Sequence, residues 1–411
     1  MLHLTCIFCL SDLVKKFGVA QCDLVKKFGV AQCDLVKKFG VAQCDLVKKF
    51  GVAQHDLVKK FGVVQCDLVK RFEVAQRDLV KKFGVAQCDL IKKFGVAQCD
   101  LVKKFGVAQS GYNSASKNFN KADMEIDVTG RSYMITGANS GIGKCTALAI
   151  AQRGGTVHMV CRDPMRGEEA RKEIEEKSGN KNIFLHLLDM SKPKDIFRFA
   201  QKFQSDGQQL DVLVNNAGCM VNKRELTEDG FEKNFATNTL GTHILTTALI
   251  PVLERSQSSP RVVIVTSGGM LVQKLDVKDL QFERMNPFDG TMAYAQNKRQ
   301  QVIMTEQYAQ KYPKVHISTM HPGWADTPAV RSSMPGFYEK MKDKLRTAEE
   351  GADTLIWLAI SDAALKQPSG LFFQDRVPVS QHLPLAWTKA TPQQHKDLMD
   401  KLDELSKPHM I

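Results

Sequence analysis

From residue 131 onward, short apolar runs alternate with amphipathic stretches of ten or more residues, and this alternation narrows the folds open to the chain more than any other feature. The runs expected as strands are 131–137, 156–162, 183–188, 210–215, 261–267, 315–320 and 371–374. Strands that alternate with helices predict a mostly parallel sheet with helices on both faces. Seven strands in about 250 residues predict one Rossmann-like, doubly wound α/β domain rather than two. No apolar run approaches the ~20 residues needed to cross a bilayer.

A second feature divides the chain. An eleven-residue unit, D-L-V-K-K-F-G-V-A-Q-C, begins at Asp12 and recurs in nine copies, the last starting at Asp100. The expected organisation is a repetitive extension over 1–110 and a folded domain over 111–411. Each copy carries a net charge of +1, so the repeat supplies +9 of the total +12. The basic balance therefore says little about nucleic acid, and no aromatic alternates with the bases beyond one Phe per copy. At 100° per residue Leu13, Phe17 and Ala20 share one helical face, with Val14 extending it. A helix of that kind, with two Lys per copy, suits peripheral contact with an anionic membrane surface or with a partner. One Gly per copy opposes it by ~1 kcal/mol. The near identity of the copies is also what a recent tandem duplication leaves behind, which makes a segment without function the other reading. Met1–Ser11 is apolar but has no Lys or Arg ahead of its core, which argues against a secretory signal.

Eight of the 11 Cys fall before residue 110, leaving Cys145, Cys161 and Cys219. Three scattered thiols without CxxC spacing suggest neither a metal site nor a disulfide framework. They point to a reducing compartment, most simply the cytoplasm.

The chemistry-bearing residues cluster where the expected strands end. The first strand runs into Thr136-Gly137-Ala138-Asn139-Ser140-Gly141-Ile142-Gly143, and a helix follows. Glycines at G-x-x-x-G-x-G spacing let the backbone turn tightly and approach a pyrophosphate, which the helix N-terminus attracts. The second strand ends at Arg162, where a base suits the 2′-phosphate of NADP and an acid would suit the free 2′-hydroxyl of NAD. Arg162 favours NADP(H) over NAD(H), while the adjacent Asp163 pulls the other way. Asp189 ends the third strand, either as a partner for an adenine ring or as a cap for the next helix. The fourth ends in Asn215-Asn216-Ala217-Gly218, small and amide residues suited to a ligand crevice. The fifth ends in Thr266-Ser267-Gly268-Gly269. Tyr294 and Lys298 share one helix face at i,i+4. A free phenol has a pKa of about 10, and lowering it to near neutrality takes ~4 kcal/mol of differential stabilisation by neighbouring positive charge.

Taken in order, TGANSGIG, NNAG, Asn238 within FATNTLG, VTSGG, YAQNK and HPGWADT resemble the short-chain dehydrogenase/reductase family over about residues 131–375. The resemblance implies an NADP(H)-dependent oxidoreductase acting on a carbonyl/alcohol pair. It implies that Tyr294 is the general acid/base, Lys298 its pKa-lowering partner and ribose ligand, and Ser267 the hydrogen-bond donor to the substrate oxygen. Asn238 would hold a water linking Lys298 to solvent. Gly137, Gly141 and Gly143 would border the pyrophosphate, and Thr136, Asn139, Ser140 and Ile142 in the same turn would be cofactor-binding. Asn215, Ala217 and Gly218 would shape the cofactor bed, and Pro322, Gly323 and Thr327 would meet the nicotinamide end. Ser267 and Tyr294 are 27 residues apart, roughly twice the family interval. The extra stretch, residues 271–290, resembles that of the retinol-dehydrogenase-like branch and would be a flap over the substrate or a surface loop. Ala329, Val330 and the 334–338 segment would close over an apolar substrate. Thr391-Pro392-Gln393-Gln394 reads as a helix start, opening a packing or dimer helix to about Ser406. Family members often associate into homo-oligomers. The competing reading from another class is a dinucleotide-binding regulatory protein with no turnover of its own.

Overall fold

A computed structural model describes residues 108–383 and 386–410. The expectations for Met1–Ser11 and for nearly all of the repeat lie outside the described residues.

Eight strands form one sheet in the order β3-β2-β1-β4-β5-β6-β7-β8. They are β1 (Ser132–Thr136), β2 (Thr156–Cys161), β3 (Ile183–Leu187), β4 (Val212–Asn215), β5 (Arg261–Val265), β6 (His316–Met320), β7 (Phe372–Gln374) and β8 (Val377–Pro378). The first seven pair in parallel, as expected. The two-residue β8 corrects the expectation: it turns back antiparallel on β7. Asp375 and Arg376, both at positive φ, make that reversal, and a two-residue strand is too short to show an alternating pattern in sequence.

The strands read as nearly continuous apolar runs because both faces are covered. Alternate side chains serve the two faces. Met134, Leu213, Val262, Ile264 and Ile317 point to one core, and Tyr133, Ile135, Val214, Val263 and Met320 to the other. The second core is closed by α1 (Gly141–Ala151), α2 (Pro164–Ser178) and, far along the chain, Ala348–Ile360. The first is closed by α3 (Pro193–Ser205), α4 (Gly241–Leu253), α5 (Gly290–Lys311) and α6 (Pro392–Ser406). The start of α6 is the one expected. Thr391 accepts from the Gln394 backbone N–H, Gln394 reaches back to that of Thr391, and Pro392 occupies the first turn.

The strand order reverses between β1 and β4. In open α/β sheets that switch, at the carboxyl ends of the strands, is where a crevice opens.

Candidate active site

The loops that leave β1, β4, β5 and β6 converge on this crevice, and the glycines measure how closely. Gly137 has φ +68°, and a Cβ there would lie 3.1 Å from the Ala217 Cα. A Cβ on Gly143 would lie 2.4 Å from the Gly137 carbonyl oxygen, so α1 can pack on the turn only without a side chain at that position. The corresponding point on Gly141 is 3.2 Å from Thr327 Cγ2, which sets the loop after β6 against the glycine turn. On Gly268 it is 3.2 Å from the His321 ring, joining the loop after β5 to the end of β6.

The N-terminus of α1 opens into this space. The Ser140 side chain makes no capping hydrogen bond and the first turn holds no acid. Its N–H groups and positive end therefore suit an anionic phosphate group. Asn139 is half-buried and Ser140 exposed beside it, whereas Ile142 packs toward Gly351. Thr136 is committed to the scaffold: its buried hydroxyl accepts from the N–H of Asn216 (3.0 Å) and of Ala217 (2.9 Å). Asn215 donates from Nδ2 to Thr246 Oγ1 (3.0 Å), while its buried Oδ1 has no partner. Asn216, which the sequence reading passed over, donates from Nδ2 to the Thr136 carbonyl (2.8 Å) and stitches the two loops together. The doubled Asn was the available signal.

At the end of β2, Arg162 is exposed and lines a cavity of 460 Å³ with Leu188, Asp189, Lys192, Arg198 and Phe199. Asp163 is occupied elsewhere. It caps α2 by accepting from the Arg166 N–H (3.0 Å) and pairs with the Arg166 side chain (3.1 Å), and both interactions hold its carboxyl below the ordinary range. Asp189 does not cap α3, whose N-cap is Lys192 with no side-chain capping hydrogen bond. One Asp189 oxygen accepts from the Ser191 N–H and hydroxyl in a turn ahead of α3, and the residue also faces the cavity. Lys192, which pairs with Glu228 (3.3 Å), Arg198 and the acid Asp195 also line it, and the sequence reading anticipated none of the three.

Helix α5 carries Tyr294 and Lys298. Its cap is Asp289, which accepts from the N–H of Thr291 and Met292. Gly290 lets its first turn press on the Val221 carbonyl, only 2.4 Å from a would-be Cβ. Both side chains are thereby carried over the loop that follows β4. Lys298 is buried, and its Nζ lies 5.2 Å from the centroid of the half-buried Tyr294 ring. A Cβ on Gly218 would come within 3.6 Å of that ammonium and 3.2 Å of Asn238 Oδ1. Burial pushes the Lys298 ammonium down to about 7 and pushes the Tyr294 hydroxyl up, with the Cys219 thiol adding to the rise at Tyr294.

Ser267 ends the extended run after β5 and accepts from the Gly269 N–H (3.3 Å). Gly269 also abuts Ala295, the neighbour of Tyr294, which brings the serine turn against α5. Asn238 is fully buried in a π turn (Ala236–Leu240) leading into α4. Its Nδ2 donates to the Cys219 carbonyl (2.8 Å) and its Oδ1 accepts from the Cys219 N–H (2.8 Å). Its own carbonyl accepts from Gln301 Nε2 (2.6 Å), and Gln301 Oε1 accepts from Lys298 Nζ (3.0 Å). Where the resemblance implies a water between Asn238 and Lys298, the amide of Gln301 makes both contacts. The residue lies one helical turn beyond Lys298 and was missed because a Gln at that spacing has no meaning until α4 is packed against α5.

The loop after β6 is held from behind. Gly323 donates from its N–H to His321 Nδ1 (3.0 Å), and the Pro322 carbonyl accepts from Arg346 (3.3 Å). Thr327 caps the short helix Pro328–Ser333 by accepting from the Val330 N–H. In the segment expected over the substrate, Val330, Phe337 and Tyr338 pack with Trp324 around the buried Ala108, Met341 and Leu345. The 271–290 insertion departs from the surface-loop expectation. Leu275, Val277, Leu280 and Phe282 are buried in the first core, and the Val277 carbonyl accepts from Lys401 of α6. The stretch is anchored rather than a loose loop, because burial of these apolar side chains stabilises it.

The comparisons with known proteins agree with this architecture. The sequence model of the short chain dehydrogenases matches residues 131–278. Human dehydrogenase/reductase SDR family member 12 is 61% identical over 297 residues, covering 72% of this chain and 93% of that protein. Human retinol dehydrogenase 12 is 35% identical over 254 residues, covering 61% of this chain and 79% of that protein. Among solved structures, a putative uncharacterized protein from Mycobacterium paratuberculosis superposes with a TM-score of 0.53 at 28% identity, covering 68% of this chain and 94% of its own. With such identity over nearly the full length of a relative, and the sheet and loops just described, the chain belongs to the short-chain dehydrogenase/reductase family of oxidoreductases.

Proposed function

We propose that the protein is an NADP(H)-dependent oxidoreductase that interconverts a carbonyl and an alcohol on an apolar small molecule, with Tyr294 as general acid/base. The observation that carries this reading is the buried Lys298 ammonium 5.2 Å from the Tyr294 ring, at the carboxyl ends of β4 and β5. A buried cation with no carboxylate partner is costly, and such arrangements mark functional sites.

The uncapped end of α1 and the glycine turn hold the pyrophosphate, with Asn215, Ala217 and Gly218 forming the bed beside it. Arg162 meets the 2′-phosphate, a role left to it because Asp163 is engaged as a cap, and Asp189 lies beside the adenine. Pro322, Gly323 and Thr327 border the nicotinamide end. The bound nicotinamide supplies the hydride on reduction and accepts it on oxidation. On reduction Ser267 donates a hydrogen bond to the carbonyl oxygen, and Tyr294 transfers its hydroxyl proton to that oxygen as the alcohol forms. The phenolate left behind is stabilised by the Lys298 ammonium. Burial and the Cys219 thiol both raise the Tyr294 hydroxyl, so the positive charge that favours phenolate would have to come from Lys298 and from a bound oxidised nicotinamide. The name of the retinol dehydrogenase relative supports an apolar alcohol or aldehyde as substrate.

Fluorescence titration with NADPH and NADH, followed by a carbonyl screen, tests the reading. Tyr294→Phe is expected to lower kcat by about 10²–10⁴-fold while leaving NADPH affinity within about twofold. A Tyr294→Phe variant with wild-type rates rules out the proton-transfer role. NADPH binding without turnover of any carbonyl favours the regulatory reading instead.

A further inference from the structure

Lys298 is 2% exposed and, among the described residues, has no carboxylate within salt-bridge reach. Its two acceptors are the Val265 carbonyl at 2.9 Å and Gln301 Oε1 at 3.0 Å. The first is main chain at the end of β5 and cannot vary with sequence. Among the described residues Gln301 is therefore the one side chain with a hydrogen bond to this ammonium, and it is itself 1% exposed. Its orientation is dictated by chemistry. The Asn238 carbonyl, 2.6 Å from Nε2, only accepts, and a charged Lys298 only donates, so the amide can face just one way. The amide thus ties the π turn ahead of α4 to the catalytic face of α5 and presents an oxygen to a cation that burial drives toward losing its proton.

We propose that Gln301 is a positioning residue whose amide, anchored on the Asn238 carbonyl, holds the Lys298 ammonium in place and in its charged state. The proposal rests on the reading of Tyr294 and Lys298 as a proton-transferring pair. The other groups that face Lys298 are Tyr294 on its own helix, Asn238 and the Cys219 thiol from the side of the β4 loop, and the Val265 and Thr266 end of β5. None of these carries a negative charge at neutral pH. The oxygen of Gln301 is thus the local dipole that favours the charged form. Burial has pushed Lys298 to about 7, so that form is lost just above neutrality and a lost dipole is felt there.

The test uses the full chain as Gln301→Leu and Gln301→Glu, each checked for folding by thermal melting. Two pH profiles are read from pH 6 to 9: carbonyl reduction with NADPH, and NADPH affinity without substrate. Reduction needs Lys298 charged, so its alkaline limb is expected to move down by about one pH unit in Gln301→Leu, or roughly tenfold in rate on that limb. In Gln301→Glu the added carboxylate is expected to move it up, with NADPH affinity following in the same direction. A uniform loss at all pH values, with the alkaline limb and the affinity profile unmoved, overturns the proposal and leaves Gln301 a packing residue. If Gln301→Leu does not fold, Gln301→Met, which keeps the side-chain length but makes neither amide hydrogen bond, decides in its place, with the same downward shift expected and an unmoved limb overturning the proposal. Failure of the functional reading shows separately, as wild-type rates in Tyr294→Phe or as no turnover of any carbonyl. In that event the NADPH-affinity profile still judges Gln301, with a shift supporting it and no shift overturning it.

Discussion

Tyr294 and Lys298 sit one turn apart on α5, yet their polar ends answer to different neighbours. The ammonium donates backward to the Val265 carbonyl and sideways to Gln301, and lies over the Tyr294 ring rather than at its hydroxyl. The i,i+4 spacing therefore predicted their shared face correctly and could not predict this hydrogen bonding. Burial of Lys298 also has a consequence for stability. Lys298 is lowered to about 7 in the folded protein, against about 10.4 in an unfolded chain. Between those values the folded state binds fewer protons than the unfolded one, so this group makes stability rise with pH from about 7 to about 10. Below about 7 both states are charged and the folded protein carries the full desolvation penalty. Lys298→Met is expected to raise the melting temperature at pH 6 and to lose that advantage toward pH 10, as read by calorimetry without cofactor. An equal effect at both pH values would mean that packing, not charge, sets the outcome.

At the scale of elements, α6 shows how far local rules reach. The Thr391 box and Pro392 marked its start in sequence, and its packing role is visible in Leu398 and Leu402, both fully buried against the first core. Its link to α4 was not legible: Asp403 lies 3.1 Å from His243 Nε2, and His243 Nδ1 shares a 2.8 Å hydrogen bond with the Tyr308 hydroxyl of α5. These residues are far apart in the chain, and only the tertiary fold brings them together. Leu402→Ala is expected to cost about 2–5 kcal/mol in urea denaturation, with an unchanged slope. A loss under about 1 kcal/mol would mean that α6 repacks freely over its neighbours. The 271–290 insertion teaches the same lesson: it was visible as extra length, but which side of it is buried depends on α6 and on the 224–232 stretch. Gln281 accepts from Arg224 with its carbonyl and from the Glu232 N–H with its side chain.

At the scale of the molecule, the two cores and the β1/β4 switch hold the loops in register before any ligand arrives. Binding to such a site stabilises the folded state by mass action, about 2.7 kcal/mol at a ligand concentration of 100 times Kd. NADPH is expected to raise the melting temperature more than NADH at equal concentration. Arg162→Ala should shrink the NADPH increment toward that of NADH, because a charge-assisted contact to a 2′-phosphate is worth about 1.5–3 kcal/mol. Equal increments in the wild-type protein would remove Arg162 from the cofactor site. Among the described residues no helix is long and apolar enough to cross a membrane.

The parallel sheet, the glycine turn and the order of the motifs were legible in the sequence, because periodicity and turn chemistry act over a few neighbouring residues. The tertiary structure alone decided that Asn216 and Thr136 stitch two loops, that the insertion is buried, and that Gln301 stands between Asn238 and Lys298. Each of these depends on groups distant in the chain competing for the same hydrogen-bond partner or the same apolar surface, and that competition is resolved only when the helices pack on the sheet.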